Sequence, residues 1–181
     1  MNKKHLTAYV VVALLFAASG AYVGYKKQDT PPVTSTAPAG VTGPVQTLLA
    51  QTMPNVAGKA TPLAQYQGKA MLVNFWATWC APCVQEMPEL SALSSGEVGK
   101  KLQVIGIGID SPSNIADFSA KYKITYPVLV AGMSGTDLSR QFGNDKGGLP
   151  FTVLIGADGQ VRKTYLGKLD FDELNKDLAA L

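Results

Sequence analysis

The chain has two cysteines, both in one short segment, Trp79-Cys80-Ala81-Pro82-Cys83, set between an apolar run and a helical pattern. That placement limits the possible folds more than any other feature. Ala70 to Ala77, read as AMLVNFWA, is short, continuous and apolar, as a buried strand is. Past the cysteines, Val84, Met87, Leu90 and Leu93 recur at every third position, predicting one face of a helix. Cysteines this close together close a loop too small to staple distant parts of a fold. Nor can they supply the four ligands of a structural zinc site within this domain. A c-type haem attachment needs His directly after the second cysteine; position 84 is Val, and the one histidine, His5, lies near the N-terminus. No cofactor or resident metal is expected. Chemistry is what remains for the pair.

A strand that stops just before Cys80 delivers it to the C-terminal edge of a sheet. With Cys80 as helix N-cap, its sulfur can accept from the N–H of Cys83, and the positive helix end favours thiolate over thiol. Pro82 fits the first turn, where its missing N–H costs no intrahelical bond. The spacing brings both sulfurs within bridging distance, so the pair can cycle between dithiol and disulfide. In such motifs the first cysteine's pKa falls from about 8.5 into a range of about 3.5–7.5.

From about Val45 the pattern alternates strands and helices. Leu102 to Ile109, LQVIGIGI, predicts a second buried strand. Ser113 is expected to cap a helix with Ile115, Phe118 and Tyr122 on one face. Tyr126–Val130 predicts a short strand and Asp137–Phe142 a short helix. Phe151–Ile155 and Val161–Tyr165 flank Ala157-Asp158-Gly159-Gln160, a hairpin signal. Asp170 begins a terminal helix with Phe171, Leu174, Leu178 and Leu181 apolar. Together these imply an α/β fold with a mixed sheet and helices on both faces.

The segment MLVNFWATWCAPC resembles the active-site segment of the thioredoxin superfamily, most nearly its membrane-tethered thiol:disulfide oxidoreductases of the TlpA/ResA type. Glu86, Pro88 and Gly147-Gly148-Leu149-Pro150-Phe151-Thr152 extend the resemblance, which spans Val45 to Leu181. It implies a thioredoxin-like sandwich at residues 45–181, an exposed nucleophile at Cys80, a resolving thiol at Cys83 and a cis-proline at Pro150 facing the disulfide. It also places Trp79, Pro82, Leu149 and Pro150 against a bound client. On the residues alone, Pro150 also reads as a strand-initiating proline and Trp79 as a core ring. Trp76 reads as core, and Pro88, inside the helix, cannot bond the Val84 carbonyl and should kink the axis. Ordinary thioredoxin has a buried aspartate where this chain has Asn74, which cannot ionise. Glu86 is the nearest carboxylate by helical spacing, and TlpA/ResA-type proteins have a glutamate there. It is the expected proton carrier, with a solvated first-turn acid as the alternative.

Ahead of the domain, Leu6 to Tyr25 is twenty residues without a charge, closed by Lys26-Lys27. Such a length fits a membrane-spanning helix better than a secretory h-region, so residues 1–27 are expected to anchor the chain. Small residues around Ala18 and Gly20 leave a cleaved signal, and a soluble periplasmic protein, as the alternative. Residues 28–44 form a linker with Pro31, Pro32, Pro38 and Pro44 and four threonines, too poor in apolar surface to pack. The formal charge of +3 belongs to the leader; from Thr30 onward, 12 basic and 12 acidic residues cancel. A neutral domain has no footprint for nucleic acid. The resemblance puts the domain on the periplasmic or outer face of a bacterial inner membrane. There it implies reduction of disulfides in client proteins, such as apocytochrome c or copper-site cysteines, with electrons from a membrane donor protein. A disulfide-forming oxidant, a peroxiredoxin-like peroxidase and a non-enzymatic copper-carrying or docking domain stand as alternatives.

Overall fold

The structure, a computed structural model, describes residues 43–181. The expected anchor at residues 1–27 and all of the linker except Gly43 and Pro44 lie outside the described residues. Pro44 opens the first helix, α1 (Pro44–Leu49), so the folded part begins one residue ahead of Val45. Proline is suited to that first position because its fixed φ matches the helix and its missing N–H is not needed there.

A small antiparallel hairpin follows, β1 (Thr52–Pro54) with β2 (Ala60–Pro62). The main series is then β3 (Ala70–Trp76), α2 (Ala81–Ser95), β4 (Leu102–Gly108), α3 (Pro112–Lys121) and β5 (Val128–Val130). It closes with α4 (Ser134–Gln141), β6 (Phe151–Ile155), β7 (Val161–Leu166) and α5 (Phe171–Ala179). The five-stranded sheet has the order β5-β4-β3-β6-β7. β3, β4 and β5 run parallel, while β6 and β7 are antiparallel to their neighbours, which gives the expected mixed sheet.

Alternation along each strand splits the core in two. Met71, Val73 and Phe75 of β3, Ile105 and Ile107 of β4 and Phe151, Val153 and Ile155 of β6 face α1 and α4. Leu72 and Trp76, Val104 and Leu154 face α2, α3 and α5. Asn74 and Thr152 sit directly opposite each other in the β3–β6 ladder, and the same alternation turns both toward α2. On the α3 side, Gly106 and Gly108 take the strand positions where a side chain would stand. A Cβ on Gly108 would lie 2.4 Å from Ile115 Cδ1, and one on Gly106 3.0 Å from the Tyr126 ring. Glycine here permits close packing of a helix and two rings on the sheet.

Two expectations change at this level. The buried face of α2 is Cys83, Glu86, Met87 and Leu90, whereas Val84 and Leu93 are half-buried. Steps of three residues drift around a helix of 3.6 residues per turn, so the ends of the expected stripe slip off the buried face. The cap of α3 is Ser111, not Ser113: its hydroxyl accepts from the Asn114 N–H at 3.2 Å, with Pro112 in the first turn. Asp170 caps α5 as expected, accepting from the N–H groups of Asp172 and Glu173 at 2.9 and 3.1 Å. The β6–β7 turn contains Gly159 at φ 77°, a conformation that favours glycine.

Candidate active site

β3 ends at Trp76, and its neighbour β4 ends at Gly108, at one edge of the sheet. There Cys80 is the N-cap of α2, and its sulfur accepts from the Cys83 N–H at 3.3 Å. Cys80 and Cys83 form a disulfide with their Cα atoms 5.3 Å apart. Pro82 sits in the first turn, half-buried. An openly exposed Cys80 was expected, but it is only 6% exposed, against 0% for Cys83. The residual access belongs to Cys80, whereas Cys83 lies on the buried face of α2. Trp79 projects into solvent at 71% exposure, whereas Trp76 is fully buried. The Leu149–Pro150 bond is cis, Pro150 is buried, and Leu149 is half-buried against the cluster that holds both cysteines.

Glu86 is one turn past Cys83 on the same buried face and has no exposed surface. This rules out the solvated-acid alternative. The Asn74 amide donates to its Oε1 at 2.7 Å and the Leu169 N–H to its Oε2 at 2.9 Å. Asn74 also donates to the Thr152 hydroxyl at 3.0 Å. Burial pushes the Glu86 carboxyl up to about 7, against the opposing pull of the Leu169 N–H, the Asn74 amide and Lys168. Burial, and then Glu86, holds the Tyr126 phenol far above its usual range. The Tyr126 hydroxyl and the Trp76 indole nitrogen have no hydrogen-bond partner among the described residues.

A second carboxylate braces the segment ahead of Cys80. Thr78 donates its hydroxyl to Asp110 Oδ2. Asp110 Oδ1 accepts from the Ser111 N–H at 2.6 Å and the Asn114 amide at 2.8 Å. Burial raises the Asp110 carboxyl, but these donors outweigh it and hold the group below the ordinary carboxylate range. Asp110 and Leu169 are invisible to motif reading, because only the parallel β4 and the turn into α5 bring them here. Thr152 belongs to the motif before β6, but its bond to Asn74 comes from the β3–β6 pairing.

The sequence profile of the Redoxin family matches residues 32–178. The chain belongs to the Redoxin family. Within that family, the thiol-disulfide oxidoreductase ResA of Geobacillus thermodenitrificans is 27% identical over 176 residues, covering 95% of this chain and 92% of the relative. A secreted disulfide oxidoreductase of Mycobacterium tuberculosis, homologous to DsbE of E. coli, superposes with a TM-score of 0.62 at 25% identity. That match covers 74% of this chain and 97% of the other. A thioredoxin-family thiol:disulfide interchange protein of Chlorobium tepidum superposes with a TM-score of 0.63 at 26% identity, over 72% of this chain and 91% of its own. The Redoxin chain described here has the thioredoxin-like fold and a paired-cysteine redox centre, and it is a thiol:disulfide oxidoreductase.

Proposed function

We propose that this oxidoreductase reduces disulfides of protein clients outside the cytoplasm, held at the inner membrane by residues 1–27. The observation that carries the redox reading is the Cys80 N-cap, whose sulfur accepts from the Cys83 N–H and which, of the two cysteines, is the one that keeps exposed surface. That hydrogen bond and the helix end stabilise a thiolate at Cys80. The thiolate attacks one sulfur of the client disulfide, forming a mixed disulfide and releasing the client's other sulfur as a thiolate. Cys83 then gives its proton to Glu86 and attacks the Cys80 sulfur. The client leaves as a dithiol, and two electrons have passed from Cys80 and Cys83 to it. A membrane donor protein restores the reduced pair.

Protein clients fit the rim of the site. The most exposed large apolar side chains among the described residues are Met133 at 78%, Trp79 at 71% and Leu166 at 67%. Met133 follows the end of β5, Trp79 the end of β3, and Leu166 closes β7 opposite Phe151, all at the disulfide's edge of the sheet. Leu149 stands between, and its backbone N–H and C=O have no hydrogen-bond partner among the described residues. An extended client can add main-chain hydrogen bonds there.

The test uses the reduced protein and a disulfide-bonded peptide. Cys83→Ser should accumulate a mixed disulfide through Cys80, and Cys80→Ser should form none. Alkylation of the reduced wild type at neutral pH should label Cys80 before Cys83. A reducing role expects a potential toward that of thioredoxin, about −270 mV, whereas one near the DsbA value of about −120 mV selects the oxidant reading. Faster labelling of Cys83 would sink the assignment of nucleophile and resolver.

A further inference from the structure

We infer that Asn144 is a positioning residue for client docking, its amide bracketing Gly148 so that the Leu149 backbone is held free beside the disulfide. The inference rests on the protein-client reading above and assigns the element that makes it possible. Between α4 and β6 the chain crosses residues 142–150 without regular structure. Asp145 and Lys146 in this loop are exposed, yet the neighbouring Asn144 is 3% exposed. Its Oδ1 accepts from the Gly148 N–H at 3.0 Å and its Nδ2 donates to the Gly148 carbonyl at 2.9 Å. One amide thus satisfies both backbone groups of one residue, as a neighbouring strand would. The second Nδ2 proton goes to the buried Ser139 hydroxyl at 3.1 Å, and that hydroxyl donates to the Thr136 carbonyl of α4 at 2.9 Å. The Asn144 carbonyl accepts from the Gly147 N–H at 2.8 Å, which closes the turn. On the far side, the Pro150 carbonyl accepts from the Gly167 N–H at 2.8 Å. The chain is therefore pinned on both sides of Leu149, whose own backbone groups stay unpaired.

A buried amide with every contact to loop backbone or to α4 has no path to the sulfurs except through the placement of that loop. Its loss should weaken capture of a polypeptide without altering the chemistry of the pair. The reduced full-length protein is mixed with a disulfide-bonded peptide and, separately, with hydroxyethyl disulfide, which has no peptide backbone to pair with Leu149. Asn144→Ala should lower the rate constant for the peptide by about tenfold, the loss of bracketing hydrogen bonds of ordinary strength. Its rate with hydroxyethyl disulfide and its reduction potential should match wild type. Ser139→Ala, which removes one support of the amide and disturbs the fold less, should shift the same ratio in the same direction by a smaller factor. It carries the test if Asn144→Ala does not fold. Equal losses on both substrates, a changed potential, or an unchanged peptide rate in both variants would overturn the inference. A wild type that reduces the peptide no faster than hydroxyethyl disulfide would instead remove the protein-client reading itself.

Discussion

Glu86 brings a carboxyl into the core beneath the redox pair, with two donors and no exposed surface. Its proton is held to about pH 7 in the folded chain, against an ordinary value of 4.5. Between those limits the native state binds more protons than the unfolded state, so stability falls as pH rises through the window. Above pH 7 the accumulated cost is about 3 kcal/mol at 1.36 kcal/mol per unit. Tyr126, raised by burial and by Glu86, stays neutral across that range. Glu86→Gln should therefore abolish the decline, seen as urea unfolding free energies at pH 4.5 and pH 8 that differ less than in wild type. Removing the carboxylate also removes its repulsion of a nearby thiolate, so the thiol titration should move to lower pH. Exchange with a protein client should slow, because Cys83 loses its proton acceptor. A variant that matches wild type in thiol titration and exchange rate across pH 5–9 would deny Glu86 the proton-handling role.

The elements owe their positions to alternation and to missing side chains. β4 presents Ile105 and Ile107 to one layer and Gly106 and Gly108 to the other, where Ile115 of α3 fills the space at Gly108. Gly108→Ala would put a Cβ 2.4 Å from Ile115 Cδ1. The side chain must leave its rotamer or α3 must retreat, at a cost of about 1–3 kcal/mol in urea unfolding. Ile115→Val deletes the clashing Cδ1, so the double variant should be more stable than the sum of the two single losses predicts. Strict additivity would show that the helix moves as a body and that Ile115 is not the obstacle. The sequence could place β4 and α3 but not their separation, since LQVIGIGI reads as a uniformly buried run.

For the whole molecule, the described residues contain no helix long and apolar enough to cross a membrane. Membrane attachment in the proposed function therefore rests on the uncharged run from Leu6 to Tyr25. The full-length protein should remain in the membrane pellet after alkaline carbonate washing and should be digested by protease added to the outer face. A mature form starting near Gly20 or Tyr22 and found in the wash would replace the anchor with a cleaved signal. Met133, Trp79 and Leu166 form the exposed apolar rim that the proposed function assigns to protein clients.

By itself, the sequence determined the redox pair and the order of most elements. Cys80 and Cys83 are legible because N-cap, Pro82 and a preceding apolar strand are local features, written in consecutive residues. The β6–β7 hairpin and the cap of α5 are legible for the same reason, through Asp158-Gly159 and Asp170. Local features also mislead at short range: Ser111, not Ser113, caps α3, and the six-residue α1 and the three-residue strands of the β1–β2 hairpin are too short for periodicity to announce. Only the tertiary structure decided the environment of the pair. The pKa of Glu86 depends on burial and on Asn74 and Leu169, 12 and 83 residues away in the chain, with Asn74 in turn bonded to Thr152; they meet only across β3, β6 and the turn before α5. The same holds for Asp110, which is 32 residues from Thr78 in the chain. Burial and hydrogen bonding are properties of what surrounds a group, and most of those surroundings are brought together only by the sheet.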